Sequence, residues 1–229
     1  MSKAPTLERV DTSLRLKDKA YAAIKDAILS VRFEPGMPLV ETDLAQQLGI
    51  SKTPIRDALQ ELEREGFVTR VLFKGTQVTD VCIKDIVEVF QLRAVLEGLA
   101  ARLATPLFSD SELDEIGEHL TAAEAALAEG NLLLCSDHGR KLHAAIIEKS
   151  EADNMRLAPI IRNLDDHVQR FRMLSDRISG RLNISVVEHR RVLDALYQRD
   201  PLAAEQAMRD HLFSVQYDLS TSGDPAGEA

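Results

Sequence analysis

Three histidines in the second half of this 229-residue chain have the residue type and spacing for metal chemistry: His143, His189 and His211. Read at helical periodicity, each falls on an apolar face. His143 shares its face with Ile146 and Ile147, and His189 with Val192, Leu193 and Leu196. His211 lies near Ala204, Met208 and Val215. A lone histidine on an apolar face is more often hydrogen-bonded within a core than bound to anything. Three on separate inward faces, the last two 22 positions apart, point instead to a divalent metal, because neutral imidazoles hold Zn²⁺ or Ni²⁺. The rival reading leaves the site without metal and lets the histidines touch a small molecule directly.

Arg93 and Glu97 form a second constellation. Both sit inside the apolar stripe of Ile86, Val89, Phe90, Leu96 and Ala100. A buried charge is costly unless it is paired or serves a ligand. An internal i,i+4 ion pair and an arginine facing a cavity are both open readings, and the second would favour a carboxylate or phosphate. Arg172 and His167 border the stripe of Leu157, Ile160, Ile161, Leu164, Val168 and Phe171 on opposite sides. Solvated flanks are the commoner outcome there, and Arg172 is kept as an effector-binding candidate.

A third group lies in the first half. Ser51, Lys52, Thr53 and Arg56 open a short helix whose inward stripe is Ile55, Ala58, Leu59 and Leu62. Free N–H groups at a helix N-terminus favour phosphate. An arginine there can read guanine edges bidentately, and a lysine can reach phosphate or base.

The elements that would carry these residues follow from local signals. A helical pattern begins at Lys19 with Tyr21, Ile24, Ala27 and Ile28 and ends near Ser30. Phe33 to Gly36 is a turn. Thr42 is expected to cap a helix over Asp43–Leu48, with Gly49 in the left-handed position that ends it. Ala45 and Leu48 are expected to pack that helix on the next. Ser51 caps Thr53–Glu65, with Pro54 in its first turn and Gly66 after its end. The β-branched runs around Lys74-Gly75 read as a hairpin over 67–80. Helix, tight glycine turn, helix and hairpin is the order of a winged helix-turn-helix. Beyond Thr79 no strand signal occurs, and helices are expected at about 83–104, 110–128, 131–149, 154–178, 184–199 and 201–219.

Composition is consistent with this division. Hydrophobic residues make up 45% and charged residues 28% of the chain, and there is no Trp. The net charge of −9 at first argues against a nucleic-acid binder. Residues 1–80 hold 12 basic and 12 acidic side chains, however, and the remainder 16 and 25, so the acidity belongs to the second part. What matters for DNA is where cations are placed, not their sum. No apolar run approaches membrane-spanning length. The first twenty residues do not read as a secretory signal. Two distant cysteines, Cys82 and Cys135, fit a reducing compartment. A cytoplasmic location is expected.

Residues 35–68, PGMPLVETDLAQQLGISKTPIRDALQELEREGFV, closely resemble the GntR family of bacterial regulators. That pattern is a PG turn, L-x-E-x-x-LA-x-x-LG-[VI]-S-[RK]-x-P-[VI]-R-[ED]-AL, then L-x-x-EG. The resemblance implies that Lys52, Thr53 and Arg56 contact an operator and that the wing around Lys74 and Gly75 touches DNA backbone or minor groove. Lys52 stands where Arg is more usual, and Thr42 where some members carry a contacting Arg. Residues 83–220 resemble the helical ligand-binding domain of the FadR-like branch, called FCD. Three segments carry this. Arg93 to Glu97 with Ala100-Ala101-Arg102-Leu103-Ala104 is the first, and Leu142-His143 with Asn154 the second. The third is Glu188-His189 with Asp210-His211. Many members of that branch bind a divalent metal through three histidines and an Asp one turn before the first. That position is Gly139 here, and Asp137 and His138 project about 140° or more from the His143 direction. Water or an effector carboxylate would fill the gap.

The expected architecture is mainly α, in four parts. Residues 1–15 form a mobile arm, 16–80 a winged helix-turn-helix domain, 81–220 an all-helical bundle for effector binding and dimerisation, and 221–229 a disordered tail. The expected function is a non-enzymatic, metabolite-responsive transcription regulator. A homodimer would bind double-stranded DNA at a pseudo-palindromic operator, with the link near 78–83 as hinge. A small carboxylate would bind near Arg93, Glu97 and Arg172, with no membrane partner. Two alternatives stay open. One is a metal-dependent enzyme on the three histidines, with Glu188 as the adjacent carboxylate but pointing elsewhere on its helix. The other is a constitutive DNA binder whose helical domain only dimerises.

Overall fold

The computed structural model describes residues 13–73, 75–174 and 181–221. The chain divides into two compact units, Met1–Asp80 and Val81–Ala229.

In the first unit, α1 (Ser13–Leu29), α2 (Glu41–Leu48) and α3 (Lys52–Arg64) accompany a three-stranded antiparallel sheet. Strands β1 (Pro38–Leu39), β2 (Val68–Val71) and β3 (Gly75–Val78) lie in the order β1-β3-β2. Val68 faces Val78 and Val71 faces Gly75 across the hairpin, and Leu39 pairs with Thr76. The core joins Ala20, Ile24 and Ile28 of α1 to Ile55, Ala58, Leu59 and Leu62 of α3, with Phe67 beneath. Gly49 adopts φ 66°, ψ 30°, so α2 ends and α3 begins within three residues. That left-handed conformation suits glycine because it has no Cβ.

Four local expectations change. Helix α1 starts at Ser13, inside the segment read as an arm. Helix α2 starts one residue before Thr42: the extended β1 delivers Val40 to the N-cap at φ −90°, ψ 118°, and Glu41 and Asp43 both fall in the first turn, where the helix dipole favours them. Ser51 holds the N-cap of α3, but its side chain makes no capping bond. Leu44 and Ala45 are the buried residues of α2, while Leu48 is exposed. Lys74 lies outside the described residues. Beside its position, Leu72 and Phe73 are exposed at the tip of the hairpin, and Phe73 has φ 65°.

Among the described residues of the second unit, six α-helices surround the main core: α4 (Ile83–Ala104), α5 (Asp110–Ala128), α6 (Leu132–Ser150), α7 (Leu157–Leu174), α8 (Leu182–Tyr197) and α9 (Pro201–Thr221). Helix α4 packs on α9, α6 and α7, while α5 packs on α6 and α8. Ser109 and Glu112 close a capping box at the start of α5. Asn131 caps α6 by accepting from the Leu134 N–H. The α7 stripe runs narrower than the periodicity predicts: Leu157, Ile161, Val168 and Phe171 are buried, but Ile160 is exposed. Helix α9 extends to Thr221, the first residue of the expected tail. The remainder of that tail, residues 1–12 of the expected arm and the end of the long helix expected to 178 lie outside the described residues.

Candidate metal and effector site

A cavity of about 580 Å³ opens within the helical unit. Three helices bring a histidine to it: α6 supplies His143, α8 His189 and α9 His211. Their Nε2 atoms converge, 3.1 Å apart between His143 and His189 and 3.2 Å between His189 and His211. The three ligand atoms all lie within 4.8 Å of one another. Imidazoles about 2.0–2.1 Å from one ion would place their nitrogens about 3.0–3.4 Å apart, so the donor set fits a divalent cation.

Carboxylates stand behind two of the three rings. Glu97 Oε2 lies 2.6 Å from His143 Nδ1, and Glu188 Oε2 lies 2.8 Å from His211 Nδ1. Such outer partners fix the tautomer that turns an Nε2 lone pair inward. Each carboxylate is held by an arginine in turn. Arg93 Nε donates to Glu97 Oε1 at 2.6 Å, and Arg181 donates to Glu188 at 2.9 Å, to Asp218 at 2.6 Å and to Ser185 at 2.9 Å. Burial alone would raise the Glu97 carboxyl, but Arg93 and His143 outweigh it and hold it down to about 2. Glu188 is likewise held near 2 against the effect of burial, through His211, Ser214 and Arg181. Burial pushes His211 down to about 4, with Glu188 opposing it, and pushes His189 well below its ordinary value. Both rings are therefore neutral at pH 7 and keep lone pairs for a cation.

The other candidates separate. Arg93 lines the cavity, but Glu97 and Asp165, 3.4 Å from its guanidinium, already face it. Glu97 is fully buried behind His143 and does not line the cavity. Arg172 does line it, and its buried Nε has no hydrogen-bond partner. Burial, with Arg93 adding to it, lowers the Arg172 pKa to about 10, so the side chain stays cationic at pH 7. Asp137 pairs with Arg140, while His138 turns away to His119 of α5.

Three elements of this site escape sequence reasoning. The links of Glu97 to His143 and of Glu188 to His211 cross between helices, so no spacing within one helix reveals them. Glu188 adjoins His189 but faces the outer nitrogen of His211 and does not line the cavity. Arg181 carries no spacing signal at all.

In the first unit, Ser51, Lys52 and Thr53 are exposed together at the start of α3, and Arg56 is exposed one turn on. Arg56 donates to both oxygens of Glu41 in α2, at 3.1 and 2.8 Å. Gly75 is exposed at the start of β3.

A helix-turn-helix with a β-hairpin wing, followed by a helical domain that encloses a histidine-lined cavity, defines a class of DNA-binding transcription regulators. The chain belongs to the GntR family within that class: residues 16–78 match the family of bacterial regulatory proteins named gntR, and residues 88–214, more than half of the chain, match the FCD domain. It is 30% identical over 207 residues to a protein of Paenarthrobacter nicotinovorans named as a probable D-xylose utilization operon transcriptional repressor, covering 88% of this chain and 89% of that protein. It is 30% identical to the Nta operon transcriptional regulator of Aminobacter aminovorans, covering 68% of this chain and 72% of that one. A GntR regulator from Rhodococcus sp. RHA1 shares the fold at TM-score 0.70 and 21% identity, over 92% of this chain and 100% of that chain. Among the described residues no helix is long and apolar enough to cross a membrane.

Proposed function

We propose that this regulator binds its operator under the control of a small carboxylate metabolite, which the helical domain holds beside a divalent metal. The observation that carries the reading is the cavity itself. It presents three convergent imidazole nitrogens and, from a different helix, a cationic Arg172 whose buried Nε lacks a partner. His143, His189 and His211 would hold Zn²⁺ or Ni²⁺, and Arg172 would take the anionic group, with Arg93 as a secondary contact. When bound, the cation supplies a Lewis-acidic centre for an anionic oxygen. Glu97 and Glu188 orient two of the rings, and Glu97 acts through His143 without touching the effector.

On the DNA side, Ser51, Lys52, Thr53 and Arg56 are the contacts from α3, and Lys74 and Gly75 those from the wing. A homodimer would set two such surfaces on a pseudo-palindromic site. Effector control then requires the acid to bind the DNA-competent and DNA-incompetent states differently.

The test starts from duplexes selected out of a random pool by the full-length protein. Anisotropy titrations on the selected duplex are run with the chelated protein, with Zn²⁺, and with Zn²⁺ plus a panel of small mono- and dicarboxylates. An acid that calorimetry shows to bind is expected to change operator affinity at least several-fold. Binding without any change in operator affinity overturns the reading.

A further inference from the structure

A second pair of imidazoles lies outside the cavity. His119 of α5 and His138 of α6 turn their Nδ1 atoms towards each other, 3.2 Å apart, with the ring planes inclined at 39°. Both side chains are half-buried, and neither lines the cavity that holds His143, His189 and His211. Without a cation, one Nδ1 carries a proton and donates it to the lone pair of the other, at the long end of the hydrogen-bond range. Among the described residues neither ring makes another hydrogen bond. No nitrogen of either ring is buried without a partner, so both Nε2 atoms meet solvent.

The same geometry suits a metal ion. Two imidazole nitrogens 3.2 Å apart, each about 2.0–2.1 Å from one ion, subtend about 100–106° at it. That angle is close to tetrahedral and wider than the right angle of square-planar coordination, so the pair favours Zn²⁺ over Cu²⁺ or Ni²⁺. The proton balance is simple. The donating ring gives up its Nδ1 proton and takes one from water at its solvated Nε2, ending neutral with one proton as it began. Local charge also favours a cation. Glu115 stands one turn before His119, exposed and with no ion pair among the described residues, and positions i and i+4 share a helix face. Of the cations that follow His138 on α6, Arg140 is engaged by Asp137 and Gln169, and Lys141 lines the cavity.

We propose that His119 and His138 form a second zinc site, separate from the cavity, that bridges α5 and α6, with Glu115 and water completing the coordination. It stands independently of the three-histidine reading. It offers one imidazole fewer and has no carboxylate behind either ring, whereas Glu97 and Glu188 stand behind His143 and His211. Its affinity is therefore lower and its ion exchangeable, because such outer carboxylates raise ligand basicity. Zinc in excess of the first equivalent is held here, and it ties the two helices together.

Two measurements on the full-length protein test this, with Zn²⁺ itself as the probe. Proton–nitrogen correlation spectra of chelated protein carrying ¹⁵N-labelled histidine need no substitution. One of His119 and His138 is expected as the Nδ1–H form before Zn²⁺ is added. After the second equivalent both are expected as Nε2–H forms, their signals shifting together. Competition against a chromophoric chelator is expected to give two Zn²⁺ per chain, the second bound about tenfold or more weakly. His119→Gln and His138→Gln are each expected to abolish the second and to leave the first within about twofold, since the sites share no ligand. Glu115→Gln is expected to weaken the second alone. In His211→Gln, which breaks the first site, the His119 and His138 signals are still expected to respond, so failure of the three-histidine reading leaves this test intact. If excess Zn²⁺ moves neither signal, the pair is a hydrogen bond only and the proposal is overturned. A second ion that survives both His119→Gln and His138→Gln overturns it as well, and an unchanged second affinity in Glu115→Gln removes that carboxylate from the site.

Discussion

Arg56 and Glu41 form a forked pair between the two helices of the turn: the Arg56 Nε donates to one carboxylate oxygen and its terminal nitrogen to the other. Both side chains are substantially exposed, at 59% and 33%. The pair therefore orients Arg56 more than it stabilises the fold. It occupies two of the five guanidinium donors and leaves the others on the outward side. Glu41 also places a negative charge beside Arg56 on the face proposed to meet DNA. Glu41→Ala should free the Arg56 side chain and remove that charge. Anisotropy titrations should then show tighter binding to scrambled duplex and a ratio of selected to scrambled affinity that falls about fivefold or more. An unchanged ratio would show that Glu41 does not position Arg56 for reading bases.

Arg172 should trade stability for recognition. A cation whose Nε is buried without a partner costs free energy in the resting protein. Arg172→Met keeps the length of the side chain and removes the charge. We expect a gain of about 1 kcal/mol, read as a melting temperature about 2–4 °C higher. Carboxylate binding in calorimetry should fall at least about tenfold, since a charge-assisted contact is lost. Operator affinity without effector should stay within about twofold. A lower melting temperature would mean that the guanidinium is already paired in the resting protein.

Acid should weaken the chelated protein in two separate windows. The folded-state pKa of His211 is depressed to about 4 and that of His189 lies well below the usual 6.5. Near pH 7 both rings are neutral folded or unfolded. As pH falls below about 6.5, the unfolded chain takes up a proton at each ring that the folded chain refuses, so stability drops. Each proton contributes up to about 1.4 kcal/mol per pH unit, and the His211 contribution levels off near pH 4. Glu97 and Glu188 act lower: their pKa values of about 2 stabilise the fold above about pH 4.5, and that contribution is lost as pH falls towards 2. Urea unfolding between pH 7.5 and 4.5 reads the first window. A flat profile down to pH 5 would show that the two rings are not desolvated as the structure places them.

How much of this was legible in sequence depends on whether a feature is local. Gly49, Pro54 and Gly66 punctuate α2 and α3 so strongly that the turn helix could be read to within a residue or two. The stripe of Ile55, Ala58, Leu59 and Leu62 is buried as a unit. Strand β1 was not legible, because two residues beside a Pro-Gly turn carry no period; it forms only because Leu39 finds Thr76 across the sheet. The three inward histidines were legible from helical periodicity, but their partners were not. Glu97 could be read as the i,i+4 partner of Arg93, and it is, yet its other oxygen faces His143, 46 positions away. Ile160 shows the opposite failure: the periodic pattern placed it in the core, while α7 buries a narrower face and leaves it exposed.

Glu97 is the residue on which structure and site depend together, and the two roles can be separated. It is fully buried, 2.6 Å from Arg93 Nε and 2.6 Å from His143 Nδ1. Glu97→Gln preserves shape but removes the charge that Arg93 faces. Breaking one partner of a buried pair leaves the other charge uncompensated, at a cost of roughly 3–5 kcal/mol. Asp165, 3.4 Å from Arg93, should reduce that loss. The amide can still accept from His143 Nδ1 through its oxygen, so the ring orientation can survive while the negative charge behind the ring is lost. Zn²⁺ affinity is therefore expected to fall about 10–100-fold, as for other carboxylates that stand behind a metal-ligating imidazole. Glu97→Ala should lose both functions. If competition against a chromophoric chelator gives Glu97→Gln the Zn²⁺ affinity of the unmodified chain, while urea unfolding shows the expected destabilisation, Glu97 serves Arg93 alone and its contact with His143 is incidental to the site.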